Sequence, residues 1–286
     1  MSEIKILEID GSNQNKINLP SVFKTPYRPD VIQKAYNNIN SYSFQKQGRY
    51  PAAGQMVSAE SRNTGLGIAR LARAKGEGFP RAGQAAGVAG VVHGRLAHPP
   101  VSWKNTYKKI NKKEKFLALC SAIAATTNAD LIRKRGHKLN ENIEFPIIVS
   151  NKIESIIKSK ELKSILVKLG FAEDLQRTYI NRVKSVHKNS SNRRSALSVL
   201  IIVSNDAEIS KLDNSLPGVG VKSVKSVSIL DLAPGSKPAR LTIFSENAIK
   251  ELENLKSNSN INLEVNKEWK RNYKLRKQPN IINKRR

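Results

Sequence analysis

The chain has 286 residues, and its 50 lysine and arginine residues against 23 acids give a formal charge of +27. So strong a charge indicates nucleic acid as the leading class of partner. A hydrophobic content of 39% is enough for a sizeable core, and the single cysteine, Cys120, excludes an internal disulfide or a cysteine-cluster zinc site. No window approaches the roughly 18 apolar residues of a membrane span. The start, MSEIKILEID, has acids where a signal peptide has basic residues. We therefore expect a cytoplasmic protein with no membrane partner.

The first half of the chain predicts one strand and two helices. Apolar and polar residues alternate over 4–9, which predicts a strand. Residues 29–39 predict a helix with proline in its first turn. The strongest helical pattern covers 112–128, where Cys120 shares an apolar face with Phe116, Leu119 and Ile123. We expect Cys120 to be a buried, unreactive thiol.

From residue 145 onward, strands and helices alternate. Strands are predicted at 145–150 and at 196–204, where the run ALSVLIIVS is typical of a strand covered on both faces. Between them lie predicted helices at 156–169, closed by Gly170, and at 172–187. Short apolar runs at 227–232 and 241–244 predict further strands, and a final helix is expected at 246–255. The pattern predicts an α/β fold, a single Rossmann-like domain with a largely parallel sheet flanked by helices.

Two basic segments lack the pattern of a core. Residues 44–103 carry ten of the sixteen glycines and eight basic residues against two glutamates. A stretch of this length without regular structure is expected to be disordered or ordered by a partner, and its charge favours RNA. The last twenty residues hold nine basic residues and one acid. We expect a globular domain at 1–43 and 104–256, a long RNA-penetrating loop inserted at 44–103, and a basic tail at 257–286.

Motifs typical of enzymes are weak in this chain. LPGVGVKS at 216–223 resembles a helix-hairpin-helix turn and faintly a phosphate loop, but a turn joining helix to strand fits it better. GLGIAR at 65–70 lacks the strand and βαβ unit of a dinucleotide site. The four histidines have no metal-ligand spacing, and no catalytic triad or carboxylate pair stands out. We expect no catalytic residue, no metal and no cofactor.

Five runs of sequence resemble the universal large-subunit ribosomal protein four family in its archaeal and eukaryotic form. They are GRYPAAGQMVSAESRNTGLGIARLARAKGEGFPRAGQ (48–84), HGRLAHPP (93–100), INKKEKFLALCSAIAATT (110–127), RGHKL (135–139) and LDLAPGSKPARLTIFSENAIKEL (230–252). The resemblance implies a structural, non-enzymatic protein on the outer surface of the large ribosomal subunit that aids its assembly. It also implies a loop that passes through ribosomal RNA to the wall of the nascent-peptide exit tunnel. The chain departs from the family pattern at several positions, among them Ala239, where glycine is common.

The predicted RNA-binding residues are basic, aromatic or histidine side chains of the loop, the domain and the tail. They are Lys46, Arg49, Tyr50, Arg62, Arg70, Arg73, Lys75, Arg81, Arg95, His98, Lys104, Arg135, His137, Arg193, Arg194, Arg240, Lys267, Trp269, Lys270, Arg271, Tyr273, Lys274, Arg276 and Lys277. The resemblance implies a loop tip near the tunnel at Gly67, Arg70, Arg73, Lys75, Gly76, Gly78, Arg81 and Gly90. The expected partners are large-subunit ribosomal RNA, neighbouring ribosomal proteins and the nascent peptide, with no homo-oligomer.

Two other classes of function compete with this interpretation. A nucleic-acid-modifying enzyme with a Rossmann-like domain would require clustered acids for a metal or a glycine-rich cofactor loop after a strand. A sequence-specific DNA-binding regulator would require a recognition helix with base-reading side chains. Neither pattern is apparent in the sequence.

Overall fold

A computed structural model describes residues 3–139, 143–186, 196–204 and 207–258. The chain divides into two compact units: unit 1 comprises Met1–Ile39 and Lys109–Arg286, and unit 2 comprises Asn40–Lys108. The strands of the described residues are β1 (Glu3–Leu7), β2 (Asn13–Asn18), β3 (Ala59–Ser61), β4 (Ala72–Ala74), β5 (Ile147–Val149), β6 (Leu200–Val203), β7 (Gly220–Ser223) and β8 (Thr242–Ser245). The α-helices are α1 (Pro29–Asn40), α2 (Lys112–Ala125), α3 (Ala129–Arg135), α4 (Ser159–Lys168), α5 (Ala172–Val186), α6 (Ile229–Leu232) and α7 (Glu246–Asn258).

Unit 1 is built on a six-stranded sheet with the order β2-β1-β5-β8-β6-β7. Only β2 runs antiparallel to its neighbour, and the other neighbouring pairs are parallel. Leu200 and Ile202 of β6 join one core cluster with residues of α1, α2 and α7, whereas Ile201 and Val203 join a second cluster with residues of α3 and α4. The prediction of a mixed α/β fold with a mostly parallel sheet flanked by helices is confirmed.

Most elements predicted for unit 1 are confirmed. The predicted strands at 4–9, 145–150, 196–204 and 241–244 correspond to β1, β5, β6 and β8, and the five predicted helices to α1, α2, α4, α5 and α7. Cys120 is buried in α2, and burial raises the pKa of its thiol to about 12, so the prediction of an unreactive thiol agrees with its surroundings. No single helix among the described residues is long and apolar enough to cross a membrane, although α2 and α3, bent by 94°, pass this criterion together.

Two parts of unit 1 differ from the sequence prediction. The strand expected at 227–232 is wrong, because residues 229–232 form the short helix α6. Asp231 accepts hydrogen bonds from the Ser228 amide at 3.0 Å and hydroxyl at 2.7 Å, which caps this helix. The edge strand β2 was not predicted, because its sequence NQNKIN has almost no apolar residues and it pairs with β1 through the backbone. The turn predicted at 216–223 is found at 216–219, where the Val219 amide donates to the Leu216 carbonyl at 3.2 Å, and residues 220–223 form β7.

Unit 2 contains little regular structure among its residues 40–108. Its two three-residue strands, β3 and β4, pair antiparallel, with Ala59 opposite Ala74 and Ser61 opposite Ala72. Residues 62–70, which connect the two strands, are all exposed. Backbone hydrogen bonds from Ala74 to Gln84 and from Ala86 to Ala72 add the following segment to this ribbon. Unit 2 is therefore held mainly by backbone pairing and turns, and Ala74 and Ala86 are among its few buried apolar residues.

Two chain segments lie side by side where unit 2 begins and ends; we call residues 41–54 and 94–108 the stem. The Lys108 amide donates a 3.0 Å hydrogen bond to the Ser41 hydroxyl, and the Arg49 amide donates one of 3.0 Å to the Pro100 carbonyl. Gly54 and Gly94 pack backbone to backbone, since a Cβ on Gly54 would lie 2.5 Å from the Gly94 oxygen. Glycine is needed at these positions because the backbones approach too closely for a side chain.

Candidate RNA-binding surface

Unit 2 carries a strong excess of positive charge and an unusual number of exposed rings. Its 69 residues include ten lysine or arginine residues and two glutamates. All six of its aromatic side chains, Tyr42, Phe44, Tyr50, Phe79, Trp103 and Tyr107, are exposed. Cations suit phosphates and open ring faces suit unpaired bases, so this composition makes unit 2 the candidate RNA-binding surface.

Most of the predicted RNA-binding residues of unit 2 are accessible to solvent. Those with exposed side chains are Lys46, Arg49, Tyr50, Arg62, Arg70, Lys75, Arg81, Arg95, His98 and Lys104. Within the described part of the chain, the guanidinium groups of Arg49, Arg62, Arg70 and Arg95 make no hydrogen bond or ion pair. Each of these four groups can therefore present its full fork of donors to a phosphate.

Three of the predicted contacts are partly engaged within unit 2. Lys75 pairs with Glu60 at 2.5 Å, and its hydrogen bond lowers the pKa of that carboxyl. The half-buried Arg73 donates to the Gly83 carbonyl at 2.9 Å, and Arg81 donates to the Val92 carbonyl at the same distance. These side chains hold neighbouring turns in place, and each arginine keeps further donors for a ligand.

The residues predicted for the loop tip are spread over unit 2. Gly67 and Arg70 lie in the exposed connection between β3 and β4, and Arg73 lies in β4 itself. The other five, Lys75, Gly76, Gly78, Arg81 and Gly90, follow β4 in a chain of turns. Gly67 and Gly90 have positive φ angles of 65° and 86° and open space around the Cα, so no packing contact requires glycine there.

His137 needs correction as a predicted RNA contact, because its side chain lies inside unit 1. Its Nδ1 lies 3.2 Å from an oxygen of the buried Asp174, and its Nε2 accepts a 3.3 Å hydrogen bond from the Leu241 amide. Nε2 must therefore be unprotonated, and Nδ1 carries the proton that it donates to Asp174. Burial lowers the pKa of His137 despite the neighbouring carboxylate. The imidazole is a neutral internal bridge that RNA cannot reach.

The positive charge beside Asp174 comes from an arginine. Burial acts to raise the pKa of Asp174, but hydrogen bonds from His137 and Arg177 outweigh it and hold the pKa well below its usual range. Arg177 Nε donates at 2.9 Å, and the buried Ser198 hydroxyl donates at 2.5 Å. The carboxylate is thus ionised and joins α5 to the residues around α3 and β6.

Arg240 also needs correction, since its guanidinium is buried beside β6. It donates hydrogen bonds of 2.8 Å to the Ser198 carbonyl and 3.0 Å to the Gly218 carbonyl. Burial lowers its pKa to about 10, so the group stays charged at neutral pH. The half-buried Arg135 is similarly engaged, donating to the carbonyls of Pro234 and Lys237. These arginines hold loops of unit 1 together, and Arg240 is not accessible to RNA.

The remaining predicted contacts fall outside the described residues. They are Arg193 and Arg194 together with the tail residues Lys267, Trp269, Lys270, Arg271, Tyr273, Lys274, Arg276 and Lys277.

Rossmann-like enzymes bind cofactors at the carboxyl edge of the parallel sheet. In this protein, the Glu154 side chain accepts hydrogen bonds at that edge. Its carboxylate accepts from the Ser204 amide at 3.0 Å, the Ser204 hydroxyl at 2.8 Å and the Ser245 hydroxyl at 2.5 Å. The side chain therefore ties together the ends of β6 and β8. Among the described residues, no three His, Cys, Asp or Glu side chains form a group able to hold a metal.

Sequence reasoning missed the aromatic residues of the stem other than Tyr50. Tyr42 and Tyr107 stack with ring centroids 4.9 Å apart and planes at 7°, and the Lys46 ammonium lies 5.5 Å from the Tyr107 centroid. The available signal was the interleaving of aromatic and basic residues on both sides of the glycine-rich segment. It could not show that residues 42 and 107, distant in sequence, lie together.

Comparison with known proteins identifies the family. The model of the Ribosomal protein L4/L1 family matches residues 17–255. Large ribosomal subunit protein uL4 of Haloquadratum walsbyi is 38% identical over 253 residues, which cover 87% of this chain and 98% of the relative. The proteins of the same name from Methanococcus vannielii and Thermoplasma volcanium are 37% and 36% identical, with 87% and 88% of this chain and 98% and 97% of the relatives covered. The chain belongs to the ribosomal protein L4/L1 family.

Proposed function

We propose that the chain is a structural, non-enzymatic constituent of the large subunit of the cytoplasmic ribosome, where it binds ribosomal RNA. The observation that carries the proposal is the surface of unit 2, which combines ten cations, two acids and six exposed aromatic rings in a member of this family. Phosphate contacts by the exposed arginines would supply most of the affinity. Its partners are large-subunit ribosomal RNA and neighbouring ribosomal proteins, without a membrane or a second copy of the chain.

Finer features extend this proposal. Unit 1 acts as the Rossmann-like globular domain, and residues 44–103 act as the long loop that enters the RNA. The part of unit 2 around residues 67–90 lines the nascent-peptide exit tunnel and contacts the nascent peptide. Its support is the family resemblance together with the exposed, glycine-rich turns of this segment. The basic tail adds further phosphate and base contacts.

The experiment is a salt titration of the full chain binding to large-subunit ribosomal RNA transcribed in vitro. The test variant replaces Arg49, Arg62, Arg70 and Arg95 with glutamine. If these arginines contact phosphates, the slope of log affinity against log salt falls by about 3, since each contact to single-stranded RNA contributes roughly 0.7. The midpoint of thermal unfolding checks that unit 1 remains intact.

A matched variant removes the same charge from unit 1 by replacing Arg133, Lys160, Lys163 and Lys211, all exposed, with glutamine. We expect the salt slope of this control variant to change by less than half as much as the slope of the variant that lacks the four unit 2 arginines. An equal change in the two variants would show that binding depends only on net charge and would contradict a role for the unit 2 surface. Absence of salt-dependent RNA binding by the unmodified chain would overturn the proposed function itself.

A further inference from the structure

The stem presents rings and cations, and within the described part of the chain these cations form no ion pair with an acid. It carries five aromatic residues, all exposed, and five basic residues, and its sequence contains no aspartate or glutamate. The aromatic residues are Tyr42, Phe44, Tyr50, Trp103 and Tyr107, and the basic residues are Lys46, Arg49, Arg95, Lys104 and Lys108. Rings interleaved with cations are the arrangement by which proteins hold unpaired nucleotides.

Two of these rings are held in a fixed position. Tyr42 and Tyr107 stack nearly parallel at 4.9 Å, although they come from opposite segments of the stem. The buried Ser41 accepts a hydrogen bond from the Lys108 amide, which ties the backbones beside both rings together. The Asn105 side chain accepts from the Tyr107 amide at 3.0 Å and fixes the second segment. The pair is therefore ordered before any ligand arrives, which limits the entropy lost on binding.

The pair remains largely open to solvent. Tyr42 is 59% exposed and Tyr107 is 43% exposed, even though each covers part of the other. The Lys46 ammonium lies over the Tyr107 ring, 5.5 Å from its centroid, so the outer face of Tyr42 is the one open to a base. The charge of Lys46 is then available to a phosphate of the same strand. A nucleobase would make use of the open ring face. An acidic protein partner, by contrast, would require only the cations.

We propose that the stacked Tyr42–Tyr107 pair, with Lys46 beside it, is a binding site for an unpaired base of ribosomal RNA. The inference rests on the proposed function and adds to it a subsite at the stem that reads the flat face of a base. Stacking of this kind tolerates any base, so the site selects single-stranded RNA over a paired helix.

The test compares two fluorescent probes that carry the same number of phosphates. One is an oligoadenylate of about twelve nucleotides, a length typical of single-strand sites, and the other has the same backbone without bases. Both are titrated with the full chain, with Tyr42→Ala and with Tyr42→Phe. The matched control is Tyr179→Ala, which removes a tyrosine of unit 1 that is 61% exposed.

We expect Tyr42→Ala to weaken oligoadenylate binding about 5- to 100-fold, the usual loss for one stacking contact. Binding of the baseless probe should change less than about twofold, with an unchanged salt slope, because the phosphate contacts remain. Tyr42→Phe keeps the ring, so it and Tyr179→Ala should bind both probes like the unmodified chain. Lys46→Gln should weaken both probes equally and lower the salt slope by roughly 0.7.

The inference is overturned if Tyr42→Ala binds oligoadenylate as tightly as the unmodified chain. The pair would then serve only to join the two stem segments or to contact a protein. Equal binding of the two probes by the unmodified chain would also refute it. In both cases salt-dependent binding to ribosomal RNA would leave the proposed function intact, whereas loss of that binding would refute the proposed function as well.

Discussion

The hydrogen bond from the Leu241 amide to His137 Nε2 fixes the tautomer of a buried imidazole. Protonation of Nε2 would break this bond and add a charge to a buried site, although Asp174 lies on the other side of the ring. Nearby, Ala239 has a φ angle of 65°, in the left-handed region that costs an L-residue roughly 1–2 kcal/mol. Glycine at this position would avoid that strain.

We expect His137 to make the protein sensitive to mild acid. Because its pKa is lowered in the folded protein, the unfolded chain takes up the proton first as pH falls below about 6.5. The free energy of unfolding should therefore decrease with falling pH, by at most about 1.4 kcal/mol per unit from this group. Urea unfolding at about pH 7.5 and 5.5 should show that His137→Asn loses this dependence.

His98→Asn serves as the control for His137→Asn, because His98 is exposed in unit 2. We expect it to retain the pH dependence of the unmodified chain. An identical slope in the unmodified chain and His137→Asn would show that His137 is not the titrating group.

Arg240 should contribute to stability rather than to RNA contact. Replacement by alanine removes the donors for the carbonyls of Ser198 and Gly218 and leaves a cavity, so the free energy of unfolding should fall by about 2–5 kcal/mol. Arg95→Ala, on the exposed surface of unit 2, should change it by about 0.5 kcal/mol or less. Urea unfolding measures both. Similar stability of the two variants would mean that Arg240 is not structurally important.

At the scale of elements, the sequence predicts buried strands and amphipathic helices well, because burial leaves a pattern. β6 reads as LIIV, and both of its faces are covered. β2 leaves no such pattern, since its partner is the backbone of β1. The short helix α6 was predicted as a strand because the apolar residues of 227–232 fit the repeat of a strand as well as that of a helix. The cap at Ser228 favours the helix.

The turn that leads into the second stem segment depends on close contact at Gly94. A Cβ at this position would overlap the Val88 carbonyl oxygen and lie 2.7 Å from the Val91 side chain. We expect Gly94→Ala to open unit 2 locally while unit 1 stays folded, because such overlap typically costs 1–3 kcal/mol. Limited trypsin digestion should then cleave between Arg49 and Arg95 at least about fivefold faster than in the unmodified chain.

The Gly90→Ala variant distinguishes the effect of steric overlap by an added Cβ from the effect of backbone strain. Gly90 has a φ angle of 86°, but no atom lies within 4 Å of the position of a Cβ. The variant should therefore be cleaved at a rate between those of the unmodified chain and Gly94→Ala. If Gly94→Ala resists trypsin as the unmodified chain does, the close packing of Gly94 on the preceding turn is not required for the order of unit 2.

At the scale of the whole molecule, charge and sequence motifs predicted the partner class, but not which basic residues face outward. The sequence alone does not distinguish the exposed arginines of unit 2 from the buried Arg240. The fold shows that solvent surrounds the arginines of unit 2, whereas carbonyl oxygens surround Arg240. The sequence also did not reveal the stacking of the two stem tyrosines, because they lie 65 positions apart along the chain.

We infer that this protein is an integral part of the large ribosomal subunit. The most direct measurement is sedimentation of a cell lysate through sucrose gradients at low and high salt, with an antibody against the chain. Because many phosphate contacts and a penetrating segment would hold the protein in place, we predict that it sediments with the large subunit even after a high-salt wash. Recovery only in the light, ribosome-free fractions at both salt concentrations would contradict the account.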